Sequence, residues 1–229
     1  MLVYILSLFP EALEAYLANG VLRIARESGK LDVRLLNFRD FTKDKHRSVD
    51  DRPFGGGPGM VLRPEPIFEA IEWVESREGT FHKVLLTPEG RPFRQSKAEE
   101  LSGKEKLLFL CGRYEGFDQR VLDGFPWEFV SLGDFVLSGG ELPALVVLEA
   151  TVRLLPGVLG DEESIVHESF TTGLLDHPHY TRPRDFRGSK VPEVLASGDH
   201  EAIRKWRAQQ SLERTRRLRP DLLESREPR

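Results

Sequence analysis

Three stretches of this 229-residue chain set glycines among polar side chains: TPEGRPF (Thr87 to Phe93), CGRYEGFD (Cys111 to Asp118) and SLGDFVLSGGELP (Ser131 to Pro143). Each directly follows an apolar run of buried-strand length. Glycine carries no Cβ, so a ligand can come close to the backbone N–H and C=O groups there. Loops leaving the carboxyl ends of neighbouring parallel strands gather on one sheet edge, where α/β proteins bind ligands. The chemistry expected of the three stretches together is capture of one small molecule, largely by main-chain groups.

Familiar phosphate and nucleophile motifs are missing. FGGGPGM (Phe54 to Met60) lacks the Gly-Lys-Ser/Thr ending of a P-loop, and SGKEK places Glu105 after its Gly-Lys pair. No G-x-G-x-x-G opens a helix after a strand, and Ser138 precedes Gly139-Gly140 without the spacing of a nucleophile elbow. The single Cys111 excludes a disulfide framework and a cysteine zinc site. His177 and His179 stand two apart around Pro178, a spacing that does not share a helix face, so no metal site is expected.

The elements that must position these stretches alternate between strand and helix. Leu2 to Leu8 is a buried-strand run, PEALEAYLANG and VLRIARESGK are helical, and Val33 to Phe38 is a strand. Asp40 to Met60 is expected as one long, charged, glycine-rich loop, of a length that is usually functional. Then follow helix PEPIFEAIEWVE, strand HKVLLT, helix QSKAEELS, strand LLFLC, helix FDQRVLDG, strand WEFVSL and the long helix ELPALVVLEATVRLL. Uninterrupted apolar strands, each followed by a helix, predict an α/β fold with a mainly parallel sheet covered on both faces. Beyond Leu155 the pattern turns polar, and SGDHEAIRKWRAQQSLERTRRLRPDLL reads as helical with Asp199 as N-cap. The division expected is an α/β domain over 1–160, a linker over 161–170 and a small, mostly helical domain over 171–229.

The formal charge is −4, yet basic residues cluster. Between Arg204 and Arg219 seven basic residues face one acid, Glu213. Arg182, Arg184, Arg187 and Lys190 form a second cluster, and Lys43 to Arg47 a third. Local concentrations of this kind suit phosphate contacts in an otherwise acidic chain. The longest apolar runs fall short of a membrane span, and the start lacks a signal-peptide pattern, so a cytoplasmic protein is expected.

The segments DDRPFGGGPGM, LLTPEGRPFRQ, LCGRYEGFDQRV, SLGDFVLSGGELPALVVLEA, RLLPGVLG, ESFTTGLLDHPHYTRP and IRKWRAQQSLERTRRLRPDLL together resemble the bacterial tRNA (guanine-N1)-methyltransferases of the TrmD type, in the SPOUT superfamily. The resemblance covers nearly the whole chain. It implies a deep trefoil knot in the large domain, an exception to the rule against knotted connections. It also implies a homodimer and methyl transfer from S-adenosylmethionine to N1 of the tRNA guanosine at position 37, after a preceding G. A dependence on Mg²⁺ stays open.

By this resemblance the cofactor would be held by Leu86, Thr87 and Pro88, by Gly112, Arg113, Tyr114, Glu115 and Gly116, and by Ser131, Leu132, Gly133, Asp134, Phe135, Val136, Leu137, Gly139, Gly140 and Pro143. Backbone groups of Leu132, Gly133 and Leu137 suit an adenine edge, and Arg113 and Glu115 suit the methionine end. The tRNA would meet His46, Asp50, Arg52, Gly56, Gly57 and Pro58 in the long loop. Further on it would meet His179, Arg182, Arg184, Arg204, Lys205, Arg207 and Arg214. The family's general base, an aspartate before Ser-Phe, corresponds to Glu168 in HESF, and its electrostatic arginine to Arg153. Asp176 is the second candidate for the base. A non-catalytic RNA-binding relative and a ribosomal-RNA methyltransferase are the alternatives. The intact GRYEG and SGGELP segments count against the first, and the HPHYTRP and WRAQQSLERT segments against the second.

Overall fold

The apolar runs form the strands of one parallel sheet in a computed structural model that describes residues 1–160 and 168–224. Strands β1 (Leu2–Ser7), β2 (Asp32–Asn37), β5 (His82–Pro92), β6 (Lys106–Leu110) and β7 (Trp127–Ser131) lie in the order β2-β1-β6-β5-β7. Every pairing among these five is parallel. Successive side chains of a strand point to opposite faces, and here both faces are buried. Val3, Ile5, Leu107, Phe109 and Val84 enter one apolar cluster, while Tyr4, Leu6, Leu108, Leu110 and Leu85 enter the other. That is why β1, β6 and the first half of β5 read as nearly continuous apolar runs, whereas the edge strand β2 exposes Asp32 and Arg34.

Helices α1 (Pro10–Leu17), α2 (Gly20–Glu27), α4 (Gln95–Ser102) and α6 (Glu141–Val152) bury Leu13, Leu17, Leu22, Leu101 and Leu148 on the first face. Helices α3 (Pro64–Glu78) and α5 (Gln119–Gly124) close the second with Ile67, Ile71, Val74 and Val121. Asp118 caps α5, its carboxylate accepting the Arg120 N–H at 2.9 Å.

Three local expectations need correction. Asp40 to Met60 is not one loop, because Phe38–Phe41 is a 3-10 turn and β3 (Asp50–Asp51) pairs antiparallel with β4 (Val61–Leu62). A two-residue strand of aspartates carries no periodic signal. Thr87 to Pro92 is not a loop leaving the sheet but the continuation of β5, with a register shift against β7 between Leu86 and Arg91. Helix α6 stops at Val152 rather than Leu155, with Arg153 as its C-cap.

Residue contacts divide the chain into two compact units, Met1–Gly160 and Asp161–Arg229. Most of the expected linker, residues 161–167, lies outside the described residues. The second unit holds a short hairpin, β8 (Asp185–Phe186) with β9 (Ser189–Lys190), and the long helix His200–Leu218. Asp199 caps that helix through the N–H groups of Glu201 and Ala202, both at 3.0 Å. Arg216 and Arg217 in its last turn meet the negative end of the helix dipole.

Candidate active site

The carboxyl ends of β5, β6 and β7 border one cavity of about 440 Å³, inside the range of roughly 300–1,000 Å³ typical of small-molecule sites. Leu86, Thr87 and Pro88 line it from β5, and Gly112 through Gly116 from the turn after β6. Ser131, Leu132, Gly133, Phe135, Val136, Leu137, Gly139, Gly140 and Pro143 line it from the segment that runs from β7 into α6. Among the residues expected here, Asp134 alone is absent from the lining; it is exposed to solvent. Leu85, Gln119, Leu122 and Val130 join the walls from outside the three stretches.

The three segments touch, and the Phe93 N–H donates to the Ser131 carbonyl at 2.7 Å. The Gly140 N–H donates to the Gly112 carbonyl at 3.0 Å, and Arg113 and Gly139 form an antiparallel bridge. A Cβ on Gly140 would stand 2.7 Å from Cys111 Cα and 2.9 Å from Gly112 N. No side chain fits there, so glycine is needed for close approach rather than for an unusual φ. Ser131 Oγ accepts the Gly133 N–H at 3.1 Å and fixes the first turn of the segment. Tyr114 adopts a left-handed φ of 58°, uncommon outside glycine, at the centre of GRYEG.

A buried polar group underlies this contact. Ser7 Oγ donates to Glu141 Oε1 at 2.6 Å, and Arg113 Nη2 lies 2.9 Å from Glu141 Oε2. The ion pair is close but not aligned as a hydrogen bond, so Glu141 Oε2 and Arg113 Nε remain buried without hydrogen-bond partners. The Arg113 guanidinium also lies over the Phe9 ring, 4.6 Å from its centroid. Arg113 is therefore paired with Glu141 while it also lines the cavity. Glu141 was missed because an acid in the first turn of a helix reads as a dipole partner. The neighbouring Cys111 thiol is pushed well above its ordinary pKa, first by burial and then by the Glu141 charge, with Arg113 opposing.

The glycine-rich stretch before β4 reaches this site through its end. The Glu115 N–H donates to the Met60 carbonyl at 3.0 Å, and the Leu62 N–H to the Gly116 carbonyl at 2.9 Å. Gly56, Gly57 and Pro58 are exposed, and so are His46 and Arg52. The Arg52 backbone N–H, not its guanidinium, bonds Asp51, at 2.8 Å. Asp50 sits in β3, opposite Leu62. The Phe54 ring beside these glycines is fully exposed, a feature that its apolar type does not announce.

In the second unit, Asp176 is held from several sides. Its N–H donates to Ser169 Oγ at 3.0 Å, and the preceding Leu175 N–H donates to the buried Thr215 Oγ1 of the long helix at 2.9 Å. His179 Nε2 lies 2.9 Å from Asp176 Oδ2, and the His177 N–H donates to Oδ1 at 2.6 Å. Burial raises the Asp176 pKa, but the hydrogen bonds from His179 and the His177 amide outweigh it and leave the group below the usual carboxylate value. The rings of His177 and His179 are 4.5 Å apart. The spacing argument against a shared face thus fails. This segment is not a helix, and in extended chain residues i and i+2 fall on one side.

Glu168 directly precedes Ser169, and the Arg153 N–H donates to the Glu149 carbonyl at 3.1 Å. Each belongs to a different unit. Arg204, Lys205, Arg207 and Arg214 are exposed along the long helix, and Arg182 and Arg184 are exposed before the hairpin. Lys205 pairs with Glu201 at 2.8 Å, an exposed contact of little energetic weight. Among the described residues no helix is long and apolar enough to cross a membrane.

An all-parallel sheet with a small-molecule cavity at its strand ends, joined in the same chain to a unit that carries a long Arg-rich helix, belongs to the α/β class of ligand-binding folds. The family model described as tRNA (Guanine-1)-methyltransferase TrmD matches residues 1–225. A tRNA (guanine-N(1)-)-methyltransferase of Bacillus cereus strain B4264 is 52% identical over 228 residues, covering 99% of this chain and 93% of the relative. Its namesake from Bacillus licheniformis is 50% identical over 226 residues, covering 98% and 93%. The chain belongs to the tRNA (guanine-1)-methyltransferase family, and it is an enzyme of that kind.

Proposed function

We propose that this enzyme methylates N1 of the guanosine at tRNA position 37, using S-adenosylmethionine and favouring a G at the preceding position. The observation that carries the reading is the convergence of the three glycine stretches on one cavity, in a chain of this family. Backbone groups of Leu132, Gly133 and Leu137 would read the adenine edge, and Gly139 and Gly140 would admit the ligand against the main chain. Glu115, exposed on the rim, is the acidic group for the methionine amine, whereas Arg113 acts through Glu141 to hold the loops together.

S-adenosylmethionine, when bound, supplies an electrophilic methyl group on a sulfonium. Guanine N1 carries a proton and is a poor nucleophile until it leaves. Glu168 would accept that proton while the N1 electron pair forms the new bond to carbon. The carbon–sulfur bond would break with its electron pair returning to sulfur, so charge and atoms balance. Arg153 would stabilise the charge that develops on guanine O6. Asp176, ionised and fixed by His179, would orient the base and is the second candidate for proton acceptance. A loop guanosine can be splayed out and read on its Watson–Crick edge, with the exposed Gly56, Gly57 and Pro58 as the surface it packs on.

The same reading includes a trefoil knot through the Gly112 to Gly116 and Ser131 to Gly140 segments. It also includes a homodimer whose site takes the large unit from one subunit and the small unit from its partner. Mg²⁺ favours an octahedral shell of oxygens. The Asp176 cluster offers two imidazoles beside one carboxylate and does not suit it.

The test is transfer of labelled methyl from S-adenosylmethionine to unmodified tRNA with G or A at position 37. Methylation of the G form alone is expected, and equal labelling of both forms, or of neither, refutes the reading. Sedimentation at assay concentration tests the dimer, and a fully active monomer would remove it.

A further inference from the structure

Asp176, His177 and His179 each offer one ligand atom, and these atoms lie within 4.8 Å of one another. His177 Nδ1 stands 3.2 Å from the Pro178 carbonyl oxygen. A proton donated there leaves the lone pair on Nε2, the tautomer that a backbone carbonyl commonly fixes in metal-ligating histidines. That Nε2 is 3.8 Å from Asp176 Oδ1, and His179 Nε2 is 2.9 Å from Asp176 Oδ2. A tetrahedral site with bonds of about 2.0–2.1 Å separates adjacent ligand atoms by about 3.3 Å, and three atoms already within 4.8 Å of one another need only small side-chain shifts to reach it.

The support beneath the cluster is firm, since Ser169 and the buried Thr215 hold the backbone at Asp176 and Leu175. Access is open on the other side. The His179 side chain is 70% exposed, while that of His177 is only 14% exposed. Two imidazoles and one carboxylate are borderline donors, suited to zinc and its neighbours rather than to Mg²⁺.

We propose that Asp176, His177 and His179 bind one divalent transition-metal ion of the zinc class, with solvent in the fourth position. An ion there occupies both the Asp176 carboxylate and His179, so it inhibits methyl transfer. The binding stands apart from the proposed reaction, whereas the inhibition rests on it.

Equilibrium dialysis of the full chain against Zn²⁺ should give one ion per chain that excess Mg²⁺ does not displace. Co²⁺ in its place should give visible tetrahedral absorption. His177→Leu should weaken uptake by at least about 10²-fold, the upper end of what losing even an outer-shell partner costs. His177→Cys should keep uptake and add a cobalt–thiolate band in the near ultraviolet, which reports residue 177 as a ligand even where His177→Leu does not fold. No stoichiometric uptake by the parent, equal uptake by folded His177→Leu, or a missing thiolate band overturns the site. Stoichiometric Zn²⁺ uptake without loss of methyl transfer keeps the site and overturns the roles given to Asp176 and His179.

Discussion

Arg113 and Glu141, 28 positions apart, stand 2.9 Å from each other beneath the cavity, with Ser7 bonded to the second oxygen of the same carboxylate. Glu141 is almost fully buried, and the Arg113 side chain is 26% exposed. Removing one partner of a buried pair strands the other charge and costs about 3–5 kcal/mol. Partial exposure of Arg113 sets the expectation at the lower end. Glu141→Ala should therefore lower the urea midpoint markedly and weaken S-adenosylmethionine binding. An unchanged midpoint in denaturant titration would show that the pair holds nothing together.

Gly140→Ala tests the close approach of the two segments. The added methyl meets backbone atoms of Cys111 and Gly112, which cannot swing aside as a long side chain would. Overpacking of this kind costs about 1–3 kcal/mol, and here the displaced atoms form the cavity wall. Calorimetry should show cofactor affinity reduced by at least about tenfold, the equivalent of the lower part of that range. Wild-type affinity would mean that the segments shift freely.

Glu168→Gln keeps size and polarity but removes the proton acceptor. Turnover should fall by at least about 10²-fold, the scale of a lost general base, with cofactor binding near normal. Arg153→Ala should also reduce turnover. If Glu168→Gln is nearly as active as the parent while Asp176→Asn is inactive, the base is Asp176.

Cys111 should be inert. Burial and the Glu141 charge both disfavour its thiolate, the reactive form. Labelling by a thiol-specific disulfide reagent should therefore track unfolding in urea. Rapid stoichiometric labelling of the native protein at neutral pH would contradict this packing.

A fragment ending at Gly160 contains the whole cavity lining and both apolar clusters. It should bind S-adenosylmethionine when folded but transfer no methyl group to tRNA. Retained transfer would dissolve the division of labour between the units.

Much of this protein is decided locally. Apolar runs of five or six residues mark strands buried on both faces, the pattern of a parallel sheet. Asp118 and Asp199 cap the helices that follow them, because a carboxylate reaches N–H groups two or three positions on. The glycine stretches are legible as places where another group can approach the backbone, and all three line one cavity. Tertiary structure alone decides the rest. That Gly140 has no room for a Cβ depends on Cys111 and Gly112, which lie far away in sequence. Arg113 reads as a ligand-binding cation, and its pairing with Glu141 comes from another element. Residues 87 to 92 read as a loop because Pro88, Gly90 and Pro92 are poor strand formers, yet Arg91 and Pro92 rejoin the pairing with β7 while Thr87 to Gly90 bulge out of it. His177 and His179 look unrelated when judged by helical spacing. Their rings and the Asp176 carboxylate meet because the chain there is not helical, and local periodicity does not report a backbone held by Ser169 and Thr215.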